Sequence, residues 1–150
     1  MASWGQFAAA EPELAERVGQ LFRARKHMTL ATLRRDGSPR ISGTEVALDD
    51  DDLGLGMMPN SVKARDLLGD PRVALHSPTV DTPADDPSSW AGDAKIAGRA
   101  LLVSGTDPSD TSHRFRIDIS EVVLTRVGSP ADHLVIESWT PDRGRQVRRR

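Results

Sequence analysis

The sequence predicts a mainly β (α+β) protein, an antiparallel sheet of six or seven strands closed into a small barrel. It has one N-terminal helix and one short helix between the third and fourth strands. Apolar residues alternate with a period of two over most of the chain after residue 27. Turn signals separate these segments, which is typical of hairpins and hence of antiparallel neighbours. Helical periodicity occurs in only two places, too few for the crossovers of a doubly wound sheet.

The length of 150 residues is that of one domain, so we treat 1–150 as a single unit with an N-terminal segment (1–10) and a basic tail (143–150). The absence of cysteine excludes disulfides, thiolate zinc ligands and a cysteine nucleophile. The start of the chain lacks a basic stretch followed by an apolar run, and no segment approaches ~18 consecutive apolar residues. We therefore expect a cytoplasmic protein that does not enter a membrane.

The first predicted element is an amphipathic helix from Pro12 to about Lys26. Its apolar residues recur at helical spacing: Leu14, Val18, Leu21 and Phe22. Acidic residues begin the segment and basic residues end it, the order that the helix dipole favours. We interpret these charges as structural.

A β-hairpin follows the helix. Met28–Leu33 and Arg40–Leu48 alternate on either side of an Asp-Gly turn, Arg35–Pro39. The aspartates of the next turn, Asp49–Asp52, lack the ligand spacing of a calcium loop and lead into a third strand, Leu53–Met58.

A short helix after the third strand carries a lysine in its first turn. Asn60 or Ser61 can cap this helix. A cation at a helix start is unfavourable, because the unpaired N–H groups already make that end positive. Lys63 therefore indicates a phosphate site, shared with Ser61 and the helix amides. The structural alternative is an exposed Lys63 that pairs with Asp66.

The second half of the chain consists of strands and one long connection. Gly69, Asp70 and Pro71 end the short helix before a fourth strand, Arg72–His76. The connection Ser77–Gly92 contains three prolines, and we expect it to determine substrate specificity. Three further strands are predicted: Asp93–Ser104, Phe115–Val127 with a bend or bulge near Ser120, and His133–Trp139.

No pattern in the sequence predicts a metal site or a nucleophile. His27, His76, His113 and His133 are far apart and share no ligand spacing with a carboxylate. No serine stands in a nucleophile-elbow pattern. A phosphate site without an evident acid, base or nucleophile indicates a cofactor that brings its own reactivity.

Nucleic-acid binding is not favoured either. The last eight residues hold five arginines, which leaves a net charge of −7 on residues 1–142. The chain has no tyrosine, and its few aromatic residues are scattered rather than arranged as a stacking platform.

Four segments occur in a familiar order: TLATLRRDGSPRIS, LGLGMM, NSVKARDLLGDPRVALH and DAKIAGRA. Together they span roughly 28–102 and resemble the pyridoxamine 5'-phosphate oxidase-like superfamily of FMN-binding split barrels. The resemblance implies a homodimeric, FMN-binding oxidoreductase with a small-molecule substrate and a nicotinamide electron donor. Two alternatives stay open: a deazaflavin-dependent reductase of the same fold, and a non-catalytic protein that binds flavin or haem.

The resemblance also implies the cofactor contacts, residue by residue. Ser61 and Lys63 would hold the phosphate. Arg40, Ile41, Ser42 and Gly43 would contact the ring and ribityl chain, Met57 and Met58 would line the ring, and Lys95 or its neighbour Asp93 would reach the cofactor from the fifth strand. The segment IESW resembles IEFW of the oxidases proper, which implies Trp139 and Arg149 as further contacts; a core aromatic is the alternative for Trp139.

The chain departs from the oxidases proper at several of these positions. Ser42 stands where they have an arginine, and Met57 and Met58 replace a tyrosine–threonine pair. Val62 replaces a second basic residue beside the phosphate lysine, with Arg40 and Arg65 as candidate substitutes. We therefore expect a protein closer to the oxidase-related and deazaflavin-type branches.

Overall fold

Nine strands and three α-helices form the part of the protein that the computed structural model describes, residues 1–103, 109 and 112–150. The helices are α1 (Trp4–Ala10), α2 (Pro12–Arg23) and α3 (Val62–Gly69), with a 3-10 turn at Pro87–Ser89. The strands are β1 (Met28–Leu33), β2 (Pro39–Thr44), β3 (Val46–Leu48), β4 (Leu53–Met57), β5 (Arg72–His76), β6 (Asp93–Val103), β7 (His113–Val127), β8 (Leu134–Thr140) and β9 (Gly144–Arg149). The predicted fold class is confirmed.

The described strands belong to one antiparallel sheet with the order β2-β1-β5-β6-β7-β4-β3. β2 and β3 stand at opposite ends of this order, yet only Glu45 separates them in the chain. The sheet therefore curves until its two ends meet in the continuous segment that contains β2 and β3. In this segment β2 pairs with β1, and β3 pairs with β4. The result is a split barrel rather than a fully closed one, and β8 and β9 extend the sheet from the second half of β7.

Alternate residues of the strands fill the barrel, and α1 and α2 add to its core. The inward side chains include Leu30, Leu55, Leu75, Ile96, Ile117 and Leu124. The ring of Phe7 in α1 packs between Trp4 of the same helix and Trp139 of β8, with ring centroids 5.3 Å and 4.9 Å away. No helix of the described chain is both long and apolar enough to cross a bilayer.

Three segments differ from the sequence-based expectation. The N-terminal segment contains α1, which a capping box between Ser3 and Gln6 begins. The predicted second strand, Arg40–Leu48, pairs as two strands because Glu45 interrupts its ladder. Most of the predicted basic tail is β9, paired with β8 along its length.

The predicted bulge lies at Ser120 in β7. Ala97 pairs with Glu121 while Gly98 pairs with Ile119, so Ser120 is an extra residue in the ladder. The backbones approach so closely here that a Cβ atom on Gly98 would lie 2.2 Å from the carbonyl oxygen of Asp118. The bend of β7 thus depends on glycine in the facing strand.

A buried carboxylate ties α2 to the last strands. Glu137 of β8 has no exposed side-chain surface; Arg17 of α2 approaches it at 2.7 Å, Arg126 of β7 at 3.4 Å, and Arg145 of β9 also donates to it. Burial alone would raise the pKa of Glu137, but the hydrogen bonds and charges of Arg17 and Arg145 outweigh it and lower the pKa from 4.5 to about 2. The arginines of the C-terminal segment are therefore partly structural.

We expect Glu137→Gln to lower the free energy of unfolding at pH 7 by about 3 kcal/mol, because three guanidinium groups lose their shared counter-charge. A depressed pKa contributes stability above the unfolded value, so the wild type should lose its advantage as the pH falls from 4.5 towards about 2. Urea denaturation at pH 7 and pH 3 measures both effects. Glu16→Gln, an exposed carboxyl on α2, is the control; equal losses in the two variants would contradict the role of Glu137.

We expect Gly98→Ala to destabilise the protein by about 2 kcal/mol, since the added methyl group would overlap the backbone of β7. Thermal unfolding measures the effect. Gly69→Ala is the matched control, because nothing lies within 4 Å of a Cβ atom there. If Gly98→Ala were as stable as Gly69→Ala, the close approach at the bulge would be incorrect.

Candidate functional site

A pocket of about 380 Å³, here the α3 pocket, opens where β4 turns into α3. Its lining combines the end of β2, the end of β4 and the start of α3. The residues are His27, Gly43, Thr44, Glu45, Gly56, Met57, Met58, Ser61 and Lys63. Five of the predicted cofactor contacts thus line one pocket: Gly43, Met57, Met58, Ser61 and Lys63.

The turn into α3 is built by two polar residues. Asn60 adopts a left-handed backbone conformation with φ of 61°, which asparagine tolerates. The hydroxyl oxygen of Ser61 accepts a hydrogen bond from the backbone N–H of Ala64 at 3.2 Å, so Ser61 is the N-cap. Its O–H group is still available as a donor towards the pocket.

Lys63 crosses from α3 to the neighbouring strand. Its ammonium group donates to the carbonyl oxygen of Gly43 in β2 at 2.7 Å, which uses one of three N–H bonds. No ion pair of Lys63 with a carboxylate is found among the residues that the structure describes. The alternative pairing with Asp66 is wrong, because Asp66 binds other partners.

Asp66 anchors α3 to the first hairpin. Its Oδ2 atom accepts hydrogen bonds from Thr32 Oγ1 and from Arg40 Nε, each at 2.7 Å. Burial alone would raise the pKa of Asp66, but these bonds and the charge of Arg40 outweigh burial and lower it. Arg40 is therefore engaged on the side of α3, where a second pocket of about 810 Å³ also contains Arg34 and Arg65.

The other predicted contacts lie elsewhere. Ile41 is 76 % exposed and, with Lys95, lines a shallow pocket of about 310 Å³ on the outside of the barrel. Ser42 lies between these places in the β1–β2 ladder, opposite Leu30. Trp139 is 5 % exposed and packs against Phe7 in the core, away from the α3 pocket.

The outside of the barrel is unusually apolar where Ile41 lies. We call this surface the outer face; its lining includes Ala31, Ile41, Ala74, Ala97 and Val123, with Lys95 and Glu121 as charged members. A sheet face in contact with water is normally polar, so a continuous apolar surface of this kind is typical of an interaction site. In the sequence, this face could have been recognised from Ala31 in β1, Ala74 in β5 and Ala97 in β6, because alanine rather than a polar residue stands at these outward positions.

Sequence reasoning assigned no role in the site to His27, Glu45 or His76, and it gave Asp93 only as the alternative to Lys95. His27 and Glu45 line the α3 pocket, with His27 Nε2 3.2 Å from Glu45 Oε1. At the end of the outer face, Asp93 has a buried Oδ1 atom without a hydrogen-bond partner, and its Oδ2 atom is 3.8 Å from His76 Nε2. Strand register brings these residues together, which is why local patterns do not reveal them. Within the described residues, no cluster of three or more His, Asp or Glu residues is arranged to hold a metal ion.

Solved structures share this fold. A pyridoxamine 5'-phosphate oxidase-related, FMN binding protein from Nostoc punctiforme is 13 % identical, with a TM-score of 0.64 over 93 % of this chain and 95 % of that one. A haem-binding protein from Mycobacterium smegmatis is 17 % identical, with a TM-score of 0.58 over 93 % and 88 %. An F420 reductase is 18 % identical, with a TM-score of 0.50 over 69 % and 94 %. At these identities the likeness shows the fold alone.

Sequence comparison gives the family. Curated protein sequences yield no match. The family profile described as pyridoxamine 5'-phosphate oxidase, however, matches residues 14–146, from α2 to β9. This span contains β1 to β8, the first half of β9 and all the residues that line the α3 pocket. The resemblance noted from the sequence motifs is thus confirmed, and the chain belongs to the pyridoxamine 5'-phosphate oxidase family.

Proposed function

We propose that the protein is an FMN-binding oxidoreductase that holds the phosphate of its cofactor in the α3 pocket. The observation that carries this proposal is the position of Lys63. A cation in the first turn of a helix, with no carboxylate partner among the described residues, shares a pocket with the free O–H of Ser61. Helix amides, a hydroxyl and an ammonium group together form a phosphate site.

The residues of the pocket also fit the rest of a flavin. Met58 is 80 % exposed and offers a polarisable, apolar side chain to a flat ring, whereas Met57 is 4 % exposed and belongs to the barrel core. A bound flavin supplies electron transfer itself, so the tasks of this chain are to bind the ring, orient it and shield it.

The deazaflavin coenzyme and haem are the competing ligands. Relatives of this fold are described as an F420 reductase and as a haem-binding protein. The phosphate of the deazaflavin coenzyme would use the same groups as that of FMN, and the methionine-lined ring site favours neither. Absorption spectroscopy with separate titrations of FMN, the deazaflavin coenzyme and haem distinguishes the three. Reduction of the bound cofactor by a nicotinamide nucleotide then separates an oxidoreductase from a binding protein.

We propose that the protein is a homodimer that pairs through the outer face. Ile41 is the most exposed of the apolar side chains on this face, and its neighbours are small. Lys95 and Glu121 lie on the same face, so a twofold axis can place each Lys95 opposite Glu121 of the other copy. Such pairing would cover the apolar surface and neutralise its charges.

The substrate stays open. The connection Ser77–Gly92 remains our candidate for the segment that determines substrate specificity. Within it, Trp90 Nε1 donates a hydrogen bond to the Val80 carbonyl oxygen at 2.8 Å.

We expect Lys63→Ala to weaken FMN binding by about 10- to 100-fold, the effect of one lost charge-assisted hydrogen bond. Fluorescence titration with FMN measures it. Arg65→Ala is the matched control, since Arg65 is a cation on the same helix that donates to the Asn60 carbonyl and lies outside the pocket. Riboflavin, which lacks the phosphate, should bind both variants equally. Equal losses of FMN affinity in the two variants would refute the assignment of Lys63.

We expect Ile41→Glu to convert the dimer into a monomer, because the change places a carboxylate in the centre of the apolar face. Sedimentation velocity measures the oligomeric state. Val147→Glu on β9 is the control, as its side chain is similarly exposed at 56 % but lies away from the outer face. A dimer that persists in Ile41→Glu, or a monomeric wild type, would contradict the proposed interface.

A further inference from the structure

We propose that His27 is the second cation of the α3 pocket and that its protonation controls how tightly the pocket holds a phosphate group. The inference rests on the proposed function, because it concerns the same phosphate. It assigns a binding role to a residue outside the sequence motifs of the site. It also makes cofactor affinity depend on pH.

Strand register brings His27 to the pocket. Met28 pairs with Thr44 at the end of the β1–β2 ladder, so the next residue on each strand, His27 and Glu45, lies just beyond the last pair. The imidazole Nε2 is 3.2 Å from Glu45 Oε1. Both side chains line the α3 pocket together with Lys63.

Other candidates for a second cation are excluded by their positions. Val62 takes the place of the basic residue beside Lys63 and lies outside the α3 pocket. Arg40 is bound to Asp66, and Arg65 donates to the Asn60 carbonyl; both line the pocket on the side of α3. Among the residues that line the α3 pocket, His27 is thus the one that can add positive charge to that of Lys63.

The charges around the pocket determine when an anion is favoured. Lys63 and Glu45 are opposite charges on the lining, so their sum is zero while His27 is neutral. Lys26, from the connection after α2, lies 3.7 Å from the same Glu45 oxygen but does not line the pocket. Protonated His27 gives the lining a net positive charge. Histidine is the side chain that ordinarily changes charge between pH 5 and 8.

The test is FMN titration at pH 6 and pH 8 with wild type and His27→Gln. A phosphate monoester gains its second charge near pH 6, so each variant is compared with wild type at the same pH. We expect His27→Gln to bind FMN about 10-fold more weakly than wild type at pH 6 and within about twofold of it at pH 8. His27→Lys, with a permanent charge, should exceed the wild type at pH 8. His27 is exposed, so thermal unfolding should confirm that these variants keep the fold.

Two controls make the result specific. Lys26→Gln removes a cation beside the same Glu45 but outside the pocket, and should stay within about twofold of wild type at both pH values. Riboflavin, without a phosphate, should show no pH-dependent difference between variants. If His27→Gln and wild type bind FMN in the same ratio at pH 6 and pH 8, the role of His27 is refuted while the proposed function stands. If wild type binds no FMN at either pH, the proposed function fails, and this inference with it.

Discussion

The candidate site depends on one buried carboxylate. Asp66 holds α3 against the first hairpin by accepting hydrogen bonds from Thr32 in β1 and Arg40 in β2. Lys63 lies one turn earlier on the same helix, so fixing Asp66 directs Lys63 towards the Gly43 carbonyl of β2. A helix of eight residues is marginal by itself, and its position must come from such tertiary contacts. Arg40 thus acts on the pocket through α3.

A second buried carboxylate has the corresponding role at the end of the sheet. Glu137 in β8 forms ion pairs with guanidinium groups from α2, β7 and β9. β9 is a polar edge strand, so hydrophobic packing alone does not determine its register against β8. The ion pair between Arg145 and Glu137 favours the observed register. Both carboxylates have depressed pKa values because arginines outweigh the cost of burial. Fold and site therefore rely on the same kind of contact.

Local patterns in the sequence predicted the elements whose causes are local. The period of two predicted β1 and β5 at their observed bounds, and the bulge predicted near Ser120 is found at that residue. The sequence patterns did not predict α1, although Ser3 and Gln6 form a capping box. They predicted a basic tail in place of β9, because Arg145 of this strand has its partner, Glu137, in another strand. In the site, Ser61 and Lys63 follow from helix physics, whereas His27 and the partners of Asp66, Thr32 and Arg40, come from segments distant in sequence.

The interruption at Glu45 has a mechanical consequence. Backbone pairing passes from β2 to β1 on one side of this residue and from β3 to β4 on the other, so the wall of the barrel has a seam. Glu45 lines the α3 pocket, which places the pocket on that seam. A molecule bound there would contact both sides of the seam, the end of β2 and the end of β4, and would link them. Ligand binding would therefore also restrain the barrel at this seam, and we expect the bound form to be more rigid there than the free form.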